Sequence, residues 1–354
     1  MAFRLRFGRT CVKSRAPRQE GRSSGKPIVL SKAHFSSGDV VADRRADYAR
    51  MLAESGDYAA AAELMEQALE MVPDWAAAWD MLGTFQEKAG NVAGAISAWR
   101  RVEALDDEGL FGAKLKLAVH NAAPAGEGTA MGYVEALFDQ YAPRFEDSLV
   151  GKLGYKVPEM LDALVEEEMA RLGISAFGKA LDLGCGTGLM GERLRAKVEY
   201  LEGVDISAAM IAETARKGIY DNLQKAELVA ALNARRADAD LVTAADVLIY
   251  CGALPPVLAA LVPALKGGGL VAFSLEAHDG DEAVFLRPSL RYAHGIERTR
   301  DALIVAGLEV LRFETAVLRM DRGAPITGIL VLARKPALDL SAANDGDAGG
   351  NVAA

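Results

Sequence analysis

Two acidic residues flank a glycine-rich segment in the middle of the chain, and this is where the sequence best suits ligand binding. Asp182 lies two residues before the first of three alternating glycines, Gly184, Gly186 and Gly188. Asp205 follows the last glycine by seventeen residues. Because glycine lacks a Cβ atom, such a loop can turn sharply and bring its amide groups close to a ligand. A carboxylate at the position of Asp205 can accept hydrogen bonds from both hydroxyls of a ribose. The spacing therefore predicts a site for a nucleoside-bearing cofactor.

The residues around these acids predict the elements that position them. Residues 179–183 predict a buried strand, residues 189–198 a helix, and residues 198–205 a second strand. In a doubly wound α/β sheet the carboxyl ends of parallel strands meet at one edge. We therefore expect Asp205 to lie beside the glycine loop.

Two kinds of cofactor fit a glycine loop of this type. The positions of Gly186, Gly188 and Gly191 match the G-x-G-x-x-G pattern of dinucleotide-binding folds, in which a helix N-terminus faces a pyrophosphate. That match begins after the predicted strand has ended, and Asp182 would repel a pyrophosphate. An acid there suits a cationic ligand with an ammonium group instead. A nicotinamide-dependent oxidoreductase stays as an alternative.

The order Asp-x-Gly-x-Gly-x-Gly over residues 182–188 resembles motif I of class I S-adenosylmethionine-dependent methyltransferases. The resemblance implies a Rossmann-like α/β sheet of seven strands whose last strand is antiparallel, with S-adenosyl-L-methionine as cofactor. It also implies a set of cofactor-binding residues from the glycine loop and the ends of the next strands: Asp182, Gly184, Cys185, Gly186, Gly188, Asp205, Ile206, Glu227 and Asp246. By this resemblance, Glu227 accepts a hydrogen bond from the adenine amino group, and the Asp246 loop faces the transferred methyl group.

An aromatic segment ahead of this region carries a further resemblance. Residues 138–145 read F-D-x-Y-A-x-x-F, and residues 153–158 read L-x-Y-x-x-P. This pattern resembles the N-terminal lid of a bacterial methyltransferase family that carries tetratricopeptide repeats. The resemblance implies a lid over about residues 131–170 whose aromatic side chains close over the cofactor. Phe138 and Tyr141 are the candidates, and simple packing is the alternative role.

Residues 42–122 contain an internal repeat. The triplet at residues 56–58 recurs at residues 90–92, a shift of 34 residues. Small and large residues around Trp79 and Trp99 fall at the positions that a tetratricopeptide repeat requires. The sequence predicts an all-α helical-repeat domain here. It leaves open whether the repeats bind a peptide or protein partner or only support the domain that follows, residues 123–336.

Tyr292 and His294, which follow the predicted fifth strand, are candidates for catalysis. The segment that contains Tyr292 and His294 recurs in the family that the chain resembles, and it would lie above the carboxyl edge of the sheet. Histidine titrates near neutral pH, so His294 could remove a proton from a nucleophile. A structural hydrogen-bonding role is the alternative for His294.

Composition limits the remaining possibilities. The chain has 354 residues, of which 51% are hydrophobic, so that two globular domains are expected. Its three cysteines are too few and too scattered for a disulfide framework or a zinc site, no metal is expected, and a reducing, cytoplasmic setting fits. No membrane span is expected either. The net charge of −9 argues against nucleic acid as a partner.

The ends of the chain differ from its body. Residues 1–40 carry nine Lys or Arg against two acids. We expect residues 1–41 to be a basic segment that is disordered or an over-annotated start, with a mitochondrial transit peptide as the alternative. Residues 337–354 are expected to form a disordered tail.

Together these features predict S-adenosylmethionine-dependent methyl transfer to a small molecule or a peptide or protein. The first alternative is a non-catalytic repeat scaffold with a vestigial cofactor fold. The second is the nicotinamide-dependent oxidoreductase.

Overall fold

The computed structural model describes residues 36–125, 128–146, 151, 153–321 and 323–337. Its first part, up to residue 125, is helical. The helices there are α1 (Val40–Glu54), α2 (Tyr58–Met71), α3 (Ala76–Lys88), α4 (Val92–Leu105) and α5 (Ala113–Val119). Helices α1 with α2, and α3 with α4, pack as successive antiparallel pairs, and α5 packs on α4. The predicted helical repeat is thus present.

The repeat sequence explains how each pair forms. The second helix of each pair begins at a capping residue, since the side chains of Asp57 and Asn91 accept hydrogen bonds from the amides of Ala60 and Gly94. Within the second pair the helices approach closely, because a Cβ atom on Gly83 would lie only 2.4 Å from the indole nitrogen of Trp99. Small residues at the contact therefore allow the large ring of Trp99 to be buried.

The second part, from residue 128, is a three-layer α/β unit. A helix and a 3-10 turn come first, α6 (Met131–Tyr141) and Ala142–Arg144, followed by α7 (Val157–Leu172). Strands and helices then alternate as β1 (Phe177–Leu183), α8 (Leu189–Leu194), β2 (Val198–Asp205), α9 (Ala208–Lys217), β3 (Asn222–Lys225), α10 (Leu228–Asn233), β4 (Ala239–Ala244), α11 (Leu254–Ala264) and β5 (Leu265–His278). The remaining elements are β6 (Val284–Leu286), β7 (Tyr292–Gly295), α12 (Ile296–Val305), β8 (Glu309–Asp321) and β9 (Ala324–Arg334).

The sheet confirms the predicted methyltransferase topology and extends it. Strands β3, β2, β1, β4 and β5 are parallel neighbours, and β9 pairs antiparallel with both β5 and β8. These are the seven predicted strands, with the antiparallel one last. The described sheet has nine strands, because the short strands β6 and β7 continue it beside the carboxyl end of β5. The sequence did not predict this pair, and β7 carries Tyr292 and His294.

The order of strands brings the predicted site residues to one edge. Apolar residues fill both faces of the parallel strands, as burial under helices requires, with Leu181, Leu183 and Val242 fully buried. The loops that follow β1, β2, β3 and β4 all open at the carboxyl edge. This edge is where ligands bind in open α/β sheets.

The predicted domain ends need one correction. Residues 36–41 belong to the predicted disordered segment, but Asp39 caps α1 by accepting hydrogen bonds from the amides of Val41 and Ala42, so the helix begins at Val40. The rest of that segment, and all of the predicted tail except residue 337, lies outside the described residues. No helix in the described residues is long and apolar enough to cross a membrane.

The helical part contacts the α/β part through the lid helix and the linker. A Cβ atom on Gly112, just before α5, would lie 2.8 Å from the ring of Tyr133 in α6. In the linker, Gly128 forms a β-bridge with Cys251, and the amide of Thr129 donates to the Tyr250 carbonyl at 3.2 Å. The linker is thus bonded directly to the loop after β4.

Candidate active site

The glycine loop after β1 adopts a backbone that requires glycine. Gly184, Gly186 and Gly188 have φ angles of 61°, 54° and 93°. A Cβ atom on Gly184 would lie 2.4 Å from Val247, so this glycine lets the β4 loop pack against the β1 loop. On Gly186 the nearest atoms would be 3.9 Å away, which leaves its face open to a ligand. Both Gly184 and Gly186 line the cavity described below, whereas Gly188 does not.

Asp205 ends β2 directly beside this loop. Its Oδ2 accepts from the amide of Gly186 at 2.9 Å, and its Oδ1 accepts from the amide of Ser207 at 2.8 Å. Burial raises the pKa of the Asp205 carboxyl to about 6, against the lowering effect of these bonds. Each oxygen can still accept a further hydrogen bond from a ligand. Asp205 and the adjacent Ile206 both line the cavity.

Asp182 is brought to the site but not to the cavity surface. It is 1% exposed, and its two oxygens accept from the hydroxyls of Tyr220 at 2.6 Å and Thr243 at 2.8 Å. Burial raises its pKa to about 6. Both carboxylate oxygens are thus engaged by protein hydroxyls. Asp182 therefore lies beneath the glycine loop and supports it, and does not face a ligand's ammonium group in the cavity. Cys185 is similarly buried, with its amide bonded to the Val204 carbonyl.

Glu227 lies two residues after β3 and lines the cavity. Its side chain also caps α10, because its oxygens accept from the amides of Val229 at 2.8 Å and Ala230 at 2.7 Å. The acid is therefore fixed in place by the helix that it begins.

The aromatic residues of the lid lie over these loops. Phe138 and Tyr141 of α6 line the cavity together with Phe145. Phe138 makes edge contacts with Phe145 and with Tyr250 of the β4 loop, at ring-centroid distances of 6.3 Å and 5.4 Å. The lid therefore spans from the glycine loop to the loop after β4.

Polar contacts hold the lid against the ends of β2 and β3. Asp139 of α6 accepts from the hydroxyl of Ser207 at 2.5 Å and from the amide of Ala209 at 3.1 Å, at the beginning of α9. Glu135 of the same helix pairs with Lys225 at 2.6 Å. These contacts keep the apolar face of α6 turned toward the cavity.

The cavity enclosed in this way has a volume of about 390 Å³. Most of its lining is apolar or aromatic. The polar and charged groups are few, and they come from the ends of the strands: Asp205, Glu227, Asp246, Arg291 and Arg319, with the hydroxyls of Tyr141, Tyr155 and Tyr250.

Asp246 lies on the cavity wall after β4, but its carboxylate is already engaged. Both of its oxygens accept from one guanidinium nitrogen of Arg319 at 2.7 Å. A second nitrogen of Arg319 donates to the buried carboxylate of Glu276 in β5. The backbone of Asp246 has a φ of 59°, and its amide donates to Ser274 at 2.9 Å. This network fixes the loop after β4 in a left-handed conformation that is rare for aspartate.

Arg319 and Arg291 also line this region of the cavity, and the sequence did not predict either of them as a site residue. Arg319 is 2% exposed on β8. Arg291 precedes β7, lines the cavity together with Tyr250, and has a carboxylate oxygen of Asp321 at 3.5 Å. Arg291 directly precedes Tyr292 in the segment singled out as a candidate for catalysis, but the sequence assigned a role to neither arginine.

Tyr292 and His294 lie close to the cavity but are not among its lining residues. Each is 1% exposed, and the His294 ring contacts the Gly252 carbonyl through Nε2 at 2.9 Å. Burial lowers the pKa of His294 to about 4, so the ring is neutral at pH 7 and donates this hydrogen bond. This geometry is consistent with the structural alternative for His294.

Among the described residues, no group of three or more His, Cys, Asp or Glu side chains could hold a metal ion. The site is therefore built from a glycine loop, buried acids, two arginines and an aromatic lid.

Comparison with known proteins agrees with the order of elements. The family described as "Methyltransferase domain" matches residues 181–271, from β1 into β5. The family described as "Tetratricopeptide repeat" matches residues 42–85, which cover α1 to α3.

Two curated proteins show the level of sequence similarity. Malonyl-[acyl-carrier protein] O-methyltransferase of Enterobacter lignolyticus is 29% identical over 41% of this chain and 54% of its own length. Human methyltransferase-like protein 27 is 30% identical over 48% of this chain and 66% of its own length. The chain thus spans less than two thirds of either relative.

Among solved structures, a methyltransferase from Clostridium acetobutylicum is 20% identical over 57% of this chain and all of its own length, with a TM-score of 0.43. Magnesium protoporphyrin IX methyltransferase from Synechocystis is 18% identical over 50% of this chain and 79% of its own, with a TM-score of 0.39. Scores of this size carry no argument about function. On its family matches and its strand order, the chain contains a class I methyltransferase domain, of the S-adenosylmethionine-dependent class, preceded by a tetratricopeptide repeat.

Proposed function

We propose that this protein transfers a methyl group from S-adenosylmethionine to an acceptor bound in the same cavity. The observation that carries the proposal is the buried carboxylate of Asp205, which is bonded to the amide of Gly186 and keeps acceptor capacity toward the cavity. A carboxylate held in this way beside an open glycine loop is suited to the two hydroxyls of a ribose.

The charges around the loop fit S-adenosylmethionine better than a dinucleotide. Asp205 and Glu227 both line this part of the cavity, which favours a cationic sulfonium and ammonium and disfavours a pyrophosphate. The helix after the loop, α8, has only six residues, so it offers little of the helix-terminal field that holds phosphates. Glu227 is assigned to the adenine end, and Tyr141 and Phe138 to the covering lid.

The bound cofactor supplies a methyl group that is already activated. The residues of the chain then have to hold the two reactants in line and keep water out. The apolar lid residues exclude water, and the network of Asp246 with Arg319 fixes the loop that faces the acceptor. This division of roles is consistent with a site that has no nucleophile–base pair on its surface.

The acceptor is a small molecule or a side chain of a peptide, since the cofactor and the acceptor share about 390 Å³ under the lid. The net charge of −9 disfavours nucleic acid. The repeats offer a surface for a protein partner, and a cytoplasmic location stays a prediction from cysteine usage.

Calorimetry on the full chain tests the proposal. We expect S-adenosylmethionine and S-adenosylhomocysteine to bind with micromolar dissociation constants, while NAD⁺ and NADP⁺ show no heat at the same concentrations. Binding of a dinucleotide with neither S-adenosyl ligand would support the oxidoreductase instead. Absence of binding by all four would favour the non-catalytic scaffold.

A further inference from the structure

The charged residues that line the cavity are divided between its two ends. The acids Asp205 and Glu227 follow β2 and β3, at the end assigned to the cofactor. Both cations among the lining residues, Arg291 and Arg319, lie at the other end, directly before β7 and near the end of β8, together with Asp246 of the loop after β4. The end that remains for the acceptor is therefore the one that holds both arginines.

The two arginines differ in how many of their guanidinium donors already bind carboxylates of the protein. Arg319 is 1% exposed at its side chain, and its donors reach Asp246 and Glu276, two carboxylates that balance its charge. It holds the loop after β4 and has little capacity left for a ligand. Arg291 is held less closely by its carboxylate partner. Its one salt bridge in the described part of the chain joins it to Asp321 at 3.5 Å, and both side chains are more than a quarter exposed.

Arg291 also has the geometry to bind an anion from the cavity. Its guanidinium carries five N–H donors in a planar fork, and the long contact to Asp321 leaves several of them available to a ligand. A planar fork matches the two oxygens of a carboxylate. Because Asp321 and Asp246 are nearby, the local charge suits a monoanion better than a dianionic phosphate.

The walls between Arg291 and the cofactor end are apolar and aromatic. They include Phe138 and Val134 of the lid and the ring of Tyr250. A ligand that fills this space pairs an apolar body with an anionic group at the arginine.

We propose that the acceptor is an apolar or aromatic molecule that carries a carboxylate, and that Arg291 binds this carboxylate at the acceptor end of the cavity. The proposal rests on the proposed function, because that function assigns the Asp205 end to the cofactor. Arg291 is thus the residue that sets the acceptor class.

Matched probes of equal shape and different charge test the proposal. The probes are 4-phenylbutyrate with 4-phenylbutyramide, octanoate with octanamide, and phenyl phosphate. Binding to the full chain is measured by ligand-observed NMR, with saturating S-adenosylhomocysteine and again without it. We expect at least one carboxylate to bind tenfold or more tightly than its amide and more tightly than phenyl phosphate.

Variants then assign the preference to one side chain. Arg291→Gln should abolish the preference for acid over amide, and Arg291→Lys should keep part of it. Arg298→Gln removes the same charge from an exposed position on α12 and should leave the preference unchanged. S-adenosylhomocysteine affinity should be the same in all of these proteins.

Three results would overturn the proposal: no acid binding more tightly than its amide, tighter binding of phenyl phosphate, or a preference that survives in Arg291→Gln. The measurement without S-adenosylhomocysteine decides the point even if the cofactor assignment fails. That failure would show separately, as a wild-type protein that does not bind S-adenosylhomocysteine.

Discussion

The two ends of the cavity are built in different ways. At the cofactor end, the glycine loop and Asp205 come from one continuous stretch of sequence, residues 182–205, and pair across adjacent strands. At the acceptor end, Asp246 and Arg319 are 73 residues apart in the sequence, and Arg291 comes from a third segment. The groups that we propose for cofactor binding are encoded locally, whereas the groups that we propose for acceptor binding are assembled only by the complete sheet.

The two ends also stabilise buried acids differently. Asp182 and Asp205 are held by hydroxyl and amide donors, and burial raises the pKa of each to about 6. In the part of the chain that the structure describes, neither has a salt bridge, so this end keeps its negative potential for a cationic ligand. Asp246 and Glu276 at the other end are both paired with Arg319. The acceptor end therefore presents little uncompensated negative charge.

The largest effect that this comparison predicts follows removal of Arg319. Arg319→Met would leave the carboxylate of Asp246 without its buried cation and that of Glu276 with only the partly exposed Arg287, at 3.1 Å. Breaking a buried ion pair from one side typically costs about 3–5 kcal/mol. We expect a loss of that size in the free energy of unfolding, measured by urea denaturation of the full chain.

A control on the same strand separates burial from loss of charge. Arg312→Met removes an exposed arginine whose partner, Glu167, lies 3.7 Å away, and should cost less than about 1 kcal/mol. The triple variant with Asp246→Asn, Glu276→Gln and Arg319→Met should recover part of the stability, because it leaves no buried carboxylate unpaired; Arg287, which loses Glu276 as a partner, is about a third exposed to solvent. Equal effects of Arg319→Met and Arg312→Met would contradict the network.

The next effect concerns Asp205 at the cofactor end. Its carboxyl has a pKa of about 6 in the free protein, so it is ionised at pH 7.5 and takes up a proton as the pH falls below 6. The ionised form accepts hydrogen bonds from ribose hydroxyls more strongly. Affinity for S-adenosylmethionine should therefore be constant above pH 7 and fall progressively between pH 6.5 and pH 5.

Asp205→Asn should weaken binding by about 1.5–3 kcal/mol at pH 7.5 and remove most of this pH dependence. Asp182→Asn serves as the matched variant, because Asp182 has a pKa of about 6 as well but does not line the cavity. It should keep the pH dependence, with its folding checked by thermal melting. Calorimetry at five pH values measures both. A wild-type affinity that does not change from pH 5 to pH 8 would remove Asp205 from the ribose site.

The contrast between the two ends explains what the sequence could predict. Residues 179–205 alternate strand, glycine loop, helix and strand, so local patterns were sufficient for the loop and for Asp205. The hydroxyl partners of Asp182 could not be predicted, since Tyr220 and Thr243 reach it from two other segments. Arg319 lies near the end of β8, and its role depends on Asp246 and Glu276, which reach it from two other segments of the folded chain.

Strands β6 and β7 escaped prediction for a related reason. They have three and four residues, too few for a periodic pattern, and β7 is stabilised by pairing with the distant end of β5. The same pairing draws Tyr292 and His294 into the protein interior, 1% exposed each. A histidine that looked available for catalysis on the sequence thus lies within the wall that supports the acceptor end.

The smallest effect that we predict concerns His294, which belongs to neither end of the cavity surface. The neutral ring donates through Nε2 to the Gly252 carbonyl, so His294→Ala should lower the free energy of unfolding by about 1–3 kcal/mol through the lost hydrogen bond and packing. His278→Ala, on a partly exposed histidine, should cost less than half as much.

Because a pKa of about 4 keeps His294 neutral throughout pH 6–8, a pH profile alone cannot reveal its role. The decisive quantity is turnover per folded molecule, measured with an acceptor found among the carboxylate probes and their analogues. We expect it to stay within about threefold of the wild-type value, with unchanged affinity for S-adenosylmethionine. A loss of a hundredfold or more at full folding would instead make His294 a general base, and the wall of the acceptor end would then have to open during the reaction.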